Sequence, residues 1–246
     1  MTTVVAEAAR PRTLRSAAWL LLAGQLLYIA MTQFHAGGDA NDHHAIFATY
    51  AQNAIWSAVH LGQFAAMALL VAGLVALFTA PGQQARVVAR IGLAMAGVTL
   101  TLYAALQAVD GVALKQAVDA WSAASVLEEP ARFASAEAVR WLEWGMRSYE
   151  DFAFGLTLLL VAATVFGSSL PRPIAWLAGL SGLAYLGQGW IAGTEGFTAA
   201  QSALIVAGWV FSLAWMAWLA AVAARPGGES RVAEPGMARG AVAVDA

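Results

Sequence analysis

The sequence predicts an all-α fold, a polytopic transmembrane helix bundle with six membrane helices. Three observations predict it. Hydrophobic residues make up 60% of the chain and charged ones 11%, whereas a soluble domain carries about 25% charged residues. Apolar runs of about 20 residues, enough to cross the hydrocarbon of a bilayer, recur along the chain. Between them stand the Gly, Pro, Asn and Asp clusters that break helices. The 246 residues include no cysteine, which removes disulfides, thiolate metal sites and cysteine nucleophiles. The net charge is −2 and no basic cluster interleaves with aromatics, so nucleic acid is not an expected partner.

Taken in order, residues 1–14 read as a disordered polar tail. The first span runs from about Arg15 to Phe34. Its basic start resembles a signal peptide, but no small-x-small cleavage site follows, so it reads as an uncleaved anchor. HAGGDANDHH (35–44) is a turn. A lead-in helix over Ala45–Asn53 precedes the second span, which Pro81-Gly82 ends. The third span covers about Val87–Asp110. Val112–Ser125 is amphipathic, with Lys115 and Asp119 four apart, and Glu128-Glu129-Pro130 breaks it. Ala131–Ser148 is again helical in pattern, and its Trp141 and Trp144 suit a membrane interface. These two segments read as amphipathic interfacial helices between the third and fourth spans. The fourth span is Tyr149–Phe166. After the turn Leu170-Pro171-Arg172-Pro173 the fifth covers Ile174–Ala192, and after Gly193–Gly196 the sixth covers Thr198–Ala224. The membrane domain is therefore 15–224, and 225–246 reads as a second disordered tail.

Basic residues orient the bundle. Arg10, Arg12, Arg15, Arg86, Arg90, Arg172, Arg225, Arg231 and Arg239 fall on one side. Lys115, Arg132, Arg140 and Arg147 fall on the other. The positive-inside rule then places both termini of a multi-pass membrane protein in the cytoplasm. A faint repeat relates the third and fifth spans, which both carry Ile, Ala-Gly, Tyr, Gln and a final acid before Gly. It suggests two parallel copies of one hairpin.

Polar side chains crowd toward the extracytoplasmic half. Gln25, Tyr28, Thr32 and His35 share a face of the first span. Asn53, Ser57, His60 and Gln63 share one on the second. Tyr103, Gln107 and Asp110 do so on the third, Arg140, Glu143, Arg147 and Glu150 on the approach to the fourth. Tyr185, Gln188 and Glu195 follow on the fifth. Polar groups within a membrane are costly and turn toward protein or trapped water, so this pattern predicts a pocket. Gln25, Ser57, His60, Gln63, Tyr103, Gln107, Arg147, Glu150 and Gln188 are its expected ligand-binding residues.

Three kinds of chemistry suit such a pocket. His35, Asp39, Asp42, His43, His44 and His60 combine imidazole with carboxylate, a set for zinc or another divalent first-row ion. The metal ligands expected are His35, Asp39, His43, His44 and His60. Glu143, Glu195 and Asp110 are candidates for acid–base catalysis on a lipid-like, isoprenoid-type substrate. Ser57 and His60, three apart, could pair as nucleophile and base but lack an identified orienting acid. A structural or partner-binding role without a ligand is the remaining alternative.

The strings VHLGQF (59–64), EAVRWLEWG (137–145) and YLGQGWIAGTEGF (185–197), with the six-helix layout, resemble a group of uncharacterised bacterial integral membrane proteins. The likeness covers about 15–225. It implies a polytopic inner-membrane protein and brings no activity, so no residue role follows from it. The function expected is a membrane protein whose extracytoplasmic pocket binds a small molecule, a lipid portion or a metal ion.

Overall fold

A computed structural model of the chain describes residues 2–80 and 86–225, and of residues 2–11 only the backbone. Among the described residues there is no strand. The helices are α1 (Thr2–Thr32), α2 (His43–Gln52), α3 (Trp56–Phe78), α4 (Val87–Ser122), α5 (Glu129–Phe166), α6 (Arg172–Glu195) and α7 (Ala199–Ala224). Five are long and apolar enough to cross a membrane: Arg12–Thr32 within α1, then α3, α4, α5 and α7. α6 has 24 residues but is diluted by Gly179, Gly182, Gly187, Gly189 and Gly193, and it is not among the five.

The six long helices close into a ring in the order α1, α3, α4, α5, α6, α7, each packing on both neighbours. In lipid such packing depends on close van der Waals fit rather than on expulsion of water. The α5–α6 seam shows how the sequence achieves it. A Cβ on Gly155 would stand 2.8 Å from the Gly182 carbonyl oxygen, and one on Gly182 would stand 2.7 Å from that of Gly155. Only two glycines permit that approach. At the α7–α6 seam the Ser181 hydroxyl bonds the Gly208 carbonyl at 3.1 Å. At one end of the ring the interior is apolar, filled by Leu21, Leu70, Leu74, Phe78, Leu158, Val161 and Met216.

The other end, where α1 finishes and α3 begins, keeps one expected element and differs from expectation in two others. The lead-in helix is present as α2, with the Asp42 carboxylate accepting from the Ala45 amide at 3.1 Å as its N-cap. The amphipathic stretch after Asp110 is not a separate helix. It continues α4 through a π turn at Val109–Leu114, because nothing between Asp110 and Ser122 stops a helix and the π turn absorbs Gly111. Likewise Ala131–Ser148 and the fourth span form the single 38-residue α5, about 57 Å long at 1.5 Å per residue. Pro130 sits in its first turn, where a missing N–H costs nothing. α2, the far end of α4 and the start of α5 enclose a second core of Ile46, Phe47, Tyr50, Trp56, Leu114 and Val118.

The backbone of α1 is helical from Thr2, within the stretch read as a tail. Pro81-Gly82 and the tail from 226 onward lie outside the described residues.

Candidate functional site

The second core forms the roof of a cavity of about 470 Å³ at this end of the ring. One wall is polar: His35, Gln63, Gln107, Asp110, Arg140, Glu143 and Arg147. The facing wall, from α7, is largely apolar: Ile205, Val206 and Trp209. Asn41 fastens the loop after α1 across the mouth. Its side-chain amide donates to the Phe197 carbonyl at 3.1 Å, and its carbonyl accepts from the Phe197 amide at 3.1 Å. Gly196, at φ 76°, supplies the left-handed residue that this turn needs.

The centre of the polar wall is His35, His60 and Asp110, each offering one ligand atom within 4.8 Å of the others. The π turn puts Asp110 there. Within this turn the carbonyls of Asp110 and Gly111 accept from α3, the first from the Trp56 indole at 2.9 Å and the second from the Ser57 hydroxyl at 3.1 Å. π turns often mark such sites. Gly111 is obligatory, since a Cβ would stand 2.6 Å from His60 Cβ. Trp56 then packs on the imidazoles of His60 and His35, with ring centroids 4.5 and 4.9 Å apart.

Hydrogen bonding fixes the tautomers. His60 Nδ1 lies 2.8 Å from the Trp56 carbonyl and His35 Nδ1 3.2 Å from that of Ala36. A carbonyl only accepts, so both Nδ1 atoms carry the proton and both Nε2 atoms present a lone pair in the neutral rings. His60 Nε2 stands 3.1 Å from Asp110 Oδ2, off the line of a good hydrogen bond, and among the described residues neither it nor Asp110 Oδ1 has a hydrogen-bond partner. Two bare acceptors do not rest 3.1 Å apart; a proton or a cation belongs between them. Burial holds the His35 imidazole below its ordinary pKa, opposed by the Asp110 carboxylate, which favours the neutral ring. Burial also pushes the Tyr50 phenol up, so it keeps its proton.

Around this centre buried acidic groups outnumber buried basic ones. Asp110, Glu143, Glu150 and Asp151 are buried, against the guanidiniums of Arg140 and Arg147. Arg140 Nη1 donates to Glu143 Oε2 at 2.7 Å, and its guanidinium lies over Tyr50, Trp144 and Phe197. Arg147 Nε stands 3.4 Å from Asp151 Oδ2. Tyr28, Tyr103, Glu150 and Asp151 lie within electrostatic reach of Arg147, and Glu150 Oε1 and both Asp151 oxygens have no hydrogen-bond partner among the described residues.

The expected site residues divide accordingly. His35, His60, Gln63, Gln107, Asp110, Glu143 and Arg147 come together. Asp39, His43 and His44 do not join the metal set. Asp39 is exposed and caps its own turn at the Asn41 amide. Helical geometry in α2 turns the two histidines into the aromatic shell, His43 against Glu137 at 2.9 Å and His44 stacked on Phe133 at 3.9 Å. Of the three acids assigned to acid–base chemistry, Glu195 is exposed at the end of α6 and lines a shallow surface pocket with Asn41 and His43. Ser57 is committed to Gly111, so it is no nucleophile for His60. Gln63 donates to Thr32 at 3.2 Å and Gln188 to the Leu204 carbonyl at 3.1 Å, the helix-to-helix bonds usual for such residues. Gln25 and Tyr103 are fully buried, and the Gln25 amide has no hydrogen-bond partner among the described residues. Sequence reasoning missed Trp56 and Asp151 as parts of the site. Both carry a signal, standing four residues from His60 and from Arg147.

No protein-family model, no curated protein and no solved structure matches this chain.

Proposed function

We propose that this is a bacterial plasma-membrane protein that holds a divalent first-row metal ion on His35, His60 and Asp110, beside a cavity that admits a small molecule or the polar end of a lipid. The observation that carries the reading is the pair of imidazoles whose Nδ1–H groups are anchored on backbone carbonyls, with a carboxylate between them. Anchoring the outer nitrogen is the usual way a protein fixes a metal-ligating histidine. Two imidazoles and one carboxylate leave coordination positions open for an exogenous ligand. The excess of buried carboxylates supports it too, because a divalent cation offsets charge that is costly inside a membrane.

On this reading α6 is the sixth span, since it stands in the ring between two helices that are apolar enough to cross. The arginines then put both termini in the cytoplasm, and the cavity faces the other side. The sequence group that the three strings resemble would share this layout.

Elemental analysis of the protein purified in detergent tests the proposal. About one equivalent of a first-row metal is expected, lost in His60→Ala and in Asp110→Asn and retained in His43→Ala. A metal-free wild type that takes up no zinc, manganese or iron on titration would leave the three residues a structural ion-pair core.

A further inference from the structure

We infer that a long-chain aliphatic alcohol binds in a groove between α3 and α4, its chain toward the lipid and its hydroxyl at Gln107 beside His60. The inference rests on the metal reading and names the class of ligand for the same site. The groove, about 240 Å³, lies on the outside of the ring and is distinct from the central cavity. Its walls are Leu61 and Phe64 on α3 and the small Ala104 and Ala108 on α4, and its floor is His60 and Gln107. Gln107 also lines the central cavity, so its side chain is common to the walls of both spaces.

Two observations point to an amphiphile from the bilayer. The groove's rim is apolar and open, with Leu61 67% and Val112 50% exposed on two helices long and apolar enough to cross a membrane. At the floor, Gln107 is 8% exposed and its Oε1 has no hydrogen-bond partner among the described residues. A buried acceptor left without a donor is costly, and a ligand that donates there removes the cost. The charge around the floor selects the head group. A carboxylate head would meet the Asp110 and Glu143 carboxylates. An ammonium head would compete with the metal ion for them. A hydroxyl donates to Gln107 and keeps an oxygen lone pair toward His60 and the metal centre.

The test is photolabelling of the full-length protein in nanodiscs with a diazirine-tagged hexadecanol, with a diazirine-tagged phosphatidylcholine as the probe of general lipid contact. Adducts are mapped by mass spectrometry, and metal content is measured on the same preparations. The alcohol is expected to label Leu61, Phe64, Ala104, Ala108 and Val112 in preference to other exposed apolar residues such as Leu183 and Val210. Ala108→Trp should cut that labelling about tenfold or more by filling the groove, with metal content unchanged. Gln107→Leu, which keeps the chain's path but removes the acceptor, should weaken it roughly two- to tenfold, the worth of one hydrogen bond. Alcohol adducts that follow the phosphatidylcholine pattern, or that persist in Ala108→Trp, overturn the groove even if the metal is present. Labelling confined to the groove in a protein that holds no metal supports the groove and overturns the metal reading alone.

Discussion

Two pairs of histidines, separated by fewer than ten residues at their closest, show how far environment decides chemistry. His43 and His44 lie among aromatic rings. His43 stacks on Phe47 and meets Trp141 and Trp144 edge-on, and its Nδ1 is held by the Glu137 carboxylate. His44 lies flat on Phe133. These rings act as flat, polar-edged packing pieces in the roof. His35 and His60 stand 5.1 Å apart, with backbone carbonyls holding one nitrogen of each and Asp110 near the other. The residue type is the same in both pairs. The difference is whether a carbonyl or a carboxylate takes the Nδ1 position, and whether the remaining nitrogen faces a cavity or a ring. The lesson is that a histidine count does not locate a metal site; the partner of the second nitrogen does.

Arg140 joins the two regions, so its loss is the largest effect expected. It bonds Glu143 in the cavity wall and lies over rings of the roof. Arg140→Gln leaves Glu143 buried without its partner, and breaking a buried pair costs about 3–5 kcal/mol. Thermal unfolding in detergent should show this, and an unchanged melting temperature would mean that roof and cavity are independent.

Next is the carboxylate that distinguishes the two pairs. Asp110→Asn is nearly isosteric and should lower metal affinity beyond the roughly 10–100-fold cost of losing an outer partner, as read by competition against a chelator. Equal affinities in variant and wild type would erase the distinction between the histidine pairs.

Gly111→Ala sharpens the comparison without altering any ligand. The added methyl meets His60, and overpacking of this kind costs about 1–3 kcal/mol. Both the melting temperature and metal affinity should fall together. A drop in stability with metal affinity retained would show that His60 is not held in place by the π turn.

The smallest effect belongs to the roof. His43→Ala removes one hydrogen bond to a carboxylate and a ring contact, worth about 1–3 kcal/mol together, and should leave metal affinity unchanged. A metal affinity that falls with His43 would place the site in the roof after all.

Much of this was legible in the sequence. The apolar runs locate the apolar stretch of each long helix, although α1 begins earlier, α4 runs on to Ser122 and α5 begins at Glu129. The shared faces at three- and four-residue spacing bring His60, Gln107, Asp110 and Glu143 to the same end. What escaped has identifiable causes. The helix continuing past Asp110 was hidden because Gly111 reads as a breaker, and only its contact with His60 reveals that it permits close packing. The division among the histidines was hidden because His43 and His44 lie on a short helix whose rotation is set by its contacts with α4 and α5. Glu195 shares a face with Gln188 by spacing, yet α6 ends there and leaves it exposed.

Composition and periodicity alone therefore determined that this chain forms helices long enough for a bilayer, with a polar end and an apolar end, because hydrocarbon tolerates polar atoms only where protein covers them. Which polar residues meet was decided by tertiary structure. His60 and Asp110, 50 residues apart in the chain, meet at 3.1 Å only because α3 and α4 pack there, and the π turn and Gly111 of α4 permit that approach.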